Sequence, residues 1–332
     1  MSGQVISATF RPPWWLAGPH RQTLWGSMRR APRPLVREER FTLPDGDILR
    51  LAWNAAPPPR PGQPLVVLMH GLAGSVESPY LRGIAGVLTA RKVPVVAINF
   101  RGCGGEPNTM ARGYHSGETG DLEALLHALG ERYPGCSLRV AGISLGGNVL
   151  LCHLGRRGAD SPIDRAVAIC PPIDLHRCIK RMSSGLSQGY QRYLLRGLKQ
   201  DASRKVALLR DAGVRVDAVL GAQSFRAFDN ALTAPLHGFR DADDYYTQSS
   251  SRPLLSAIRV PTTVLFARDD PFMHPSMVPA EEELSPTVRF EVAAAGGHVG
   301  FVSGLGQHWL DERVPAALLD DPAPGGGDDK RG

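Results

Sequence analysis

Three short stretches of the chain carry residue types that could together perform nucleophilic catalysis. "VAGISLGG" (140–147) sets Ser144 in a G-x-S-x-G pattern, between Gly142 and Gly146. "LFARDDPFM" (265–273) offers two adjacent acids, Asp269 and Asp270, and "AAAGGHVGF" (293–301) offers His298 in a glycine-flanked loop. A serine hydroxyl is a poor nucleophile at neutral pH, so a base must take its proton and an acid must orient that base. Serine, then one of the two aspartates, then histidine supply these parts in chain order.

The surroundings of Ser144 sharpen this reading. "SLRVAGI" (137–143) reads as a strand and "LGGNVLLCHLGRR" (145–157) as a helix, the setting a strained strand-to-helix turn requires. A side chain at 142 or 146 would collide with the turn, while the helix start offers N–H groups and a positive dipole end to developing negative charge. An oxyanion needs two such donors. They are assigned to Leu145, directly after the nucleophile, and to Leu72 in "HGLAGS" (70–75), where Gly71 lets the backbone approach the substrate closely. His70 and Gly71 are therefore expected beside the substrate. No partner at ligand spacing follows His70, so no metal site is expected.

Periodicity supplies a scaffold for these residues. Residues 1–34 are rich in Pro, Arg and Trp without a sustained period, and read as an irregular arm packed on the core, since Trp14, Trp15 and Trp25 are costly to leave in water. "REERFTLPDGDILRLAWN" (37–54) alternates about Pro44, Asp45 and Gly46, a hairpin signal. Continuous apolar runs at 64–70, 93–100, 137–143 and 164–170 suit strands covered on both faces. Helix-compatible stretches at 80–91, 118–132 and 145–157 alternate with them, which predicts an α/β fold: a mostly parallel central sheet with helices on both faces, spanning 35–173 and 251–318. Between these parts, 174–250 has helical spacing and no strand. It reads as a helical cap whose Tyr190, Tyr193, Leu194 and Leu195 line the substrate site. Residues 319–332, low in apolar side chains and high in Gly, Pro and charge, are expected to form a disordered tail.

Composition excludes several function classes. The net charge is +6, with basic residues scattered singly, which reads as solvated surface and not as a nucleic-acid site. Five cysteines without a C-x-x-C pair suggest reduced, buried thiols, Cys103 among them. No run of 18 apolar residues and no signal-like start is present, so a cytoplasmic protein is expected, with a peripheral membrane or lipid contact left open. No G-x-G-x-x-G follows the first strand and no P-loop pattern occurs, which argues against a nucleotide binder.

"HGLAGSVESPY", "NFRGCGGEPN", "YHSGETGDL", "SLGGNVL", "YQRYLL", "ARDDPFM" and "GGHVGF", with the early "PHRQTLWG", together resemble the YheT-type branch of the α/β-hydrolases, over residues 12–315. The resemblance implies a serine hydrolase acting on carboxylic esters with short- to medium-chain acyl groups or lipid-like character, through an acyl-enzyme and without a cofactor. It implies a triad of Ser144, Asp270 and His298. Related hydrolases place the acid just before a short turn toward an apolar residue, a register that Asp270 fits with Pro271, Phe272 and Met273. Asp269 is then expected to accept hydrogen bonds from loop backbone or to pair with an arginine. Eukaryotic members are implicated in lipid metabolism and carry an N-terminal membrane anchor, which is not expected here. The competing reading is a catalytically silent hydrolase-fold binding protein. Arg101 is expected in a rigid turn beside the pocket, and His115 and Glu118 either pin the cap or touch substrate.

Overall fold

The apolar runs pair into one nine-stranded sheet in the computed structural model, which describes residues 3–319. The strands are β1 (Gln4–Ser7), β2 (Leu35–Thr42), β3 (Ile48–Asn54), β4 (Pro64–Met69), β5 (Val95–Asn99), β6 (Ser137–Ile143), β7 (Arg165–Ile169), β8 (Thr262–Ala267) and β9 (Val288–Ala293). Their order is β1-β9-β8-β7-β6-β4-β5-β3-β2, and only the β2–β3 and β3–β5 pairs are antiparallel.

Helices α1 (Pro19–Ser27), α2 (Pro79–Ala90), α3 (Gly120–Arg132) and α4 (Leu145–Arg157) are interleaved with the early strands. Between β7 and β8 runs an all-helical insertion of α5 (Leu175–Met182), α6 (Ser187–Ser203), α7 (Val206–Asp211), α8 (Val216–Gly221), α9 (Phe225–Phe228), α10 (Ala234–His237) and α11 (Ala242–Ser249). Helix α12 (Trp309–Leu319) ends the described chain, so Leu319 is helical and the rest of the expected tail lies outside the described residues.

Side chains along a strand alternate between faces, and this period divides the core in two. Val66 and Leu68 of β4 join α2 and α12 through Leu81, Ile84 and Val314. Leu65, Val67 and Met69 point the other way, toward Leu122 and Leu126 of α3 and Val149 of α4. Both faces are covered, which is why these strands read as continuous apolar runs.

The N-terminal segment is more regular than its composition suggested. β1 pairs in parallel with β9 at the sheet edge, and α1 follows. An element of four residues and one of nine are too short to display a period, so the arm reads as irregular from sequence. Gln22 fixes α1: its fully buried Nε2 donates to the carbonyls of Leu16 and Val302, both at 3.2 Å, and its Oε1 accepts the Val302 N–H at 2.8 Å. The expected burial of the tryptophans fails for Trp14 and Trp25, which are exposed, while Trp15 is half-buried.

Polar ties hold the insertion to the core. Lys205 Nζ donates to Asn108 Oδ1 at 2.8 Å and to the carbonyls of Met110 and Ala111 at 3.0 Å each. Asn148 of α4 donates to the carbonyls of Ser116 and Ser249 and accepts from the Ser251 N–H, so it clamps the point where the insertion rejoins the sheet.

Beside that clamp lies a buried charge cluster. Arg101 binds Asp121 through two hydrogen bonds of 2.8 and 2.6 Å and also reaches Asp45 and Asp47. Asp47 is fully buried and accepts from Asn108 Nδ2, the Ile48 N–H, and both the N–H and hydroxyl of Thr109. Burial alone would raise its pKa, but these hydrogen bonds outweigh it and hold the carboxyl below its ordinary value. A depressed folded-state pKa adds stability above the unfolded value near ~3.9, and that stability is lost as pH falls through the folded value. Asp47→Asn should therefore destabilise the fold by the low end of about 3–5 kcal/mol, since Arg101 keeps two other partners. It should also flatten the loss of stability below about pH 4 in urea titrations followed by circular dichroism. A variant with the wild-type acid limb would remove Asp47 as its source.

Candidate functional site

Ser144 stands where β6 turns into α4, with φ +52° and ψ −115°, a conformation that costs a non-glycine residue about 1–3 kcal/mol. Its N–H donates to the Ile169 carbonyl at 2.7 Å, which locks the turn to β7. The flanking glycines are required by space. A Cβ on Gly142 would lie 2.3 Å from the Gly146 oxygen, and one on Gly146 would lie 2.6 Å from the His70 oxygen.

The loops after β8 and β9 bring acid and base to the same point. His298 Nε2 lies 2.9 Å from Ser144 Oγ, and His298 Nδ1 lies 2.7 Å from Asp270 Oδ2. Asp270 is buried, and its Oδ1 accepts the Phe272 N–H at 2.8 Å. A carboxylate can only accept, so Nδ1 carries the proton toward Asp270 and Nε2 is left to accept from the serine hydroxyl. Asp269 faces elsewhere. Its Oδ1 accepts the Gly297 N–H at 2.9 Å, a loop-backbone role.

Two supports of His298 were not read from sequence. The Phe272 ring stacks on the imidazole at a centroid distance of 3.9 Å and an interplanar angle of 12°. Thr23 of α1 accepts the His298 N–H through Oγ1 at 2.9 Å. Gly297, at φ +60°, permits that approach: a Cβ there would lie 2.5 Å from the Pro19 carbonyl oxygen. The "PHRQTLWG" stretch entered only as part of the family resemblance, and no local pattern ties it to a loop 275 residues away.

The loop after β4 settles its amides one by one. The Gly71 N–H donates to the Tyr80 hydroxyl at 3.1 Å and the Ala73 N–H to the Tyr114 hydroxyl at 2.9 Å. Among the described residues neither the Leu72 nor the Leu145 N–H has a protein acceptor. His70 corrects the expectation of a substrate contact. It is fully buried, its Nε2 accepts the Phe100 N–H at 3.1 Å, and its Nδ1 donates to the Gly71 carbonyl at 2.7 Å. Burial lowers its pKa to about 4, so the ring is neutral and serves as a fixed donor. The Gly71 C=O and Leu72 N–H belong to one planar peptide, so holding the first aims the second.

Above Ser144 opens a cleft of about 890 Å³, within the range of ligand sites. Gly71, Tyr190, Tyr193 and Leu194 line it, with Leu24 of α1 and Met28, just past the end of that helix, opposite. Leu195 does not: it is buried in the core, because one helical step turns it about 100° from Leu194. Tyr190 hydrogen-bonds His20 at 3.1 Å and packs on Phe272, joining insertion, arm and acid loop. His115 and Glu118 lie away from the cleft. His115 contacts the rings of His237, Phe239 and Tyr245, so it braces the insertion, and Glu118 pairs with Arg112. His115, Glu118 and His237 are close enough to share a cation, but the Arg112 guanidinium already occupies Glu118. Cys103 is buried, and burial pushes its thiol up to about 12, far from a working nucleophile.

Comparison with known proteins points one way. A family described as alpha/beta hydrolase fold matches residues 64–305. The chain is 40% identical over 320 residues to "Putative esterase YheT" of Escherichia coli (strain K12), covering 93% of this chain and 92% of that protein. It is 30% identical over 308 residues to "Phospholipase ABHD3" of Mus musculus, covering 91% and 75%. Among solved structures, the Pyrococcus furiosus esterase Pf2001 superposes with a TM-score of 0.55 at 16% identity over 96% of each chain, a likeness of fold.

The geometry ranks the two aspartates. Asp270→Asn should lower kcat by roughly 10⁴, the scale of the same change in a protease triad, while Asp269→Asn should stay within about tenfold and lose stability instead. The reverse order, at matched folded fraction, would exchange their roles. Phe272→Ala should lower kcat by about tenfold, because a ring free to tilt loses near-attack alignment, and Phe272→Tyr should restore it. Equal activity of the alanine variant would leave the stack without a positioning role.

Proposed function

The chain belongs to the α/β-hydrolase family, in its YheT-type branch, and is a carboxylic ester hydrolase; on that premise we propose that it works through a Ser144–His298–Asp270 triad on esters with an apolar arm. The observation that carries this reading is the unbroken hydrogen-bonded chain from Asp270 through His298 to Ser144 on the floor of the cleft.

Ser144 Oγ attacks the ester carbonyl while His298 Nε2 takes its proton, and Asp270 holds the resulting imidazolium. Charge moves to the carbonyl oxygen, where the free N–H groups of Leu72 and Leu145 receive it. His298 then returns its proton to the departing alcohol, leaving Ser144 acylated. A water attacks the acyl group by the same route in reverse and releases the acid. The step needs no cofactor.

The cleft indicates the substrate class. Its apolar wall from Leu24, Met28, Tyr190 and Leu194 suits a hydrocarbon arm of medium length or a lipid-like ester. A fluorophosphonate probe should label Ser144 in the wild type and fail to label Ser144→Ala, which should retain less than about a thousandth of the hydrolysis rate. Across p-nitrophenyl esters from acetate to palmitate, Leu194→Ala should move the preferred chain length with little change at the optimum. Labelling at another residue, or an unchanged profile, would overturn the nucleophile or the lining respectively.

A further inference from the structure

The charges of this protein are not scattered evenly, as composition alone suggested. Two segments supply walls of the cleft: residues 3–37, which reach it through residues 20–28 at α1, and residues 175–200, which reach it through residues 186–194 at α6. Together they hold twelve of the 38 Lys and Arg residues and none of the 32 Asp and Glu residues, so the remainder of the chain carries more acid than base. Arg29 and Arg177 are committed to Asp311 and Asp174. Arg21, Arg30, Arg192 and Arg196 are exposed and, among the described residues, have no carboxylate partner.

The same two segments expose large apolar side chains. Leu24 and Met28 face the cleft from one side at 51% and 69% exposure, and Leu186 and Tyr193 face it from the other at 77% and 75%. Beside them stand Trp14, 89% exposed, and Trp25, whose ring meets Trp15 edge-on at 5.7 Å. Surface leucines occur singly on many proteins, but an apolar rim around a site mouth marks an interaction surface.

We propose that this rim docks on an anionic lipid surface and opens the cleft toward it. Trp and Tyr rings suit the boundary between headgroups and acyl chains, and arginines without internal partners are drawn to acidic headgroups. A nucleic acid would use the arginines and leave the apolar rim uncovered. A second copy of the chain would bring two sets of exposed arginines without carboxylate partners face to face, which repel each other. The proposal rests on the ester-hydrolase reading only for what docking delivers: an ester whose apolar arm leaves the bilayer directly into the cleft.

Flotation of the purified protein with vesicles tests it. Phosphatidylcholine vesicles containing phosphatidylglycerol should carry the protein at low salt and release it at high salt, and pure phosphatidylcholine should carry far less. Trp14→Ser, and separately the combined Arg21→Gln, Arg30→Gln, Arg192→Gln and Arg196→Gln variant, should weaken binding by more than about tenfold. Hydrolysis of a water-soluble p-nitrophenyl ester and fluorophosphonate labelling should be unchanged in both, because none of these side chains lines the cleft. Binding to neither vesicle, equal binding by the neutralised variant, or a dimer in sedimentation that buries the rim would overturn the proposal. Loss of labelling in the wild type would instead overturn the triad and leave the docking result standing.

Discussion

The turn at Ser144 admits no side chain on either flank, and the arrangement of the site follows from that exclusion. Because Gly142 and Gly146 let β6, the loop after β4 and the start of α4 meet at van der Waals distance, the serine hydroxyl rises above the sheet with a helix start behind it. The strained backbone there persists because the surrounding sheet over-determines it: Ser144 donates to β7, and Gly146 lies against the chain leaving β4. The two N–H groups left over at this junction, at Leu72 and Leu145, follow from the same close approach.

A second economy operates in the loops. Every amide neighbouring Leu72 is taken by a tyrosine hydroxyl, and the carbonyl preceding it by His70, so a single donor remains. His298 is held with equal completeness. Thr23 fixes its backbone, Asp269 the backbone before it, Asp270 its Nδ1 and Phe272 its ring face. These contacts come from two distant parts of the chain, α1 and the loop after β8, and each restricts one degree of freedom of the imidazole. The N-terminal helix is thus part of the catalytic architecture, in the proposed mechanism, and not a covering layer.

The insertion and α1 stand on opposite sides of the cleft and share a chemistry. Both present apolar side chains to the opening, and both are free of acidic residues over the stretches that border it. His20, Tyr190, Phe272 and His298 form a continuous stack and hydrogen-bond series between them. A change in the position of either wall is therefore felt at the imidazole, which couples cleft shape to the base.

What the sequence determined by itself was local. Continuous apolar runs told of strands covered on both faces, the break in alternation at 174 told of a helical insertion, and G-x-S-x-G between a strand and a helix told of the strained turn, since each of these signals is carried by residues contiguous in the chain. Only the tertiary structure decided what depends on contacts across the chain. Asp270 and Asp269 differ by one position, and their separate directions follow from the turn that Phe272 closes onto Asp270. Leu194 and Leu195 share a composition and a helix, yet one lines the cleft and the other the core, because successive residues on α6 point about 100° apart and the packing of the insertion sets which face meets the cleft. His70 looked like a substrate contact and is a buried brace, because the Phe100 amide that occupies its Nε2 arrives from the neighbouring strand. Residues 3–34 hid their order longest: a four-residue strand exists only where β9 offers it an edge, and α1 is held by Gln22 and Thr23 to partners more than 270 residues away.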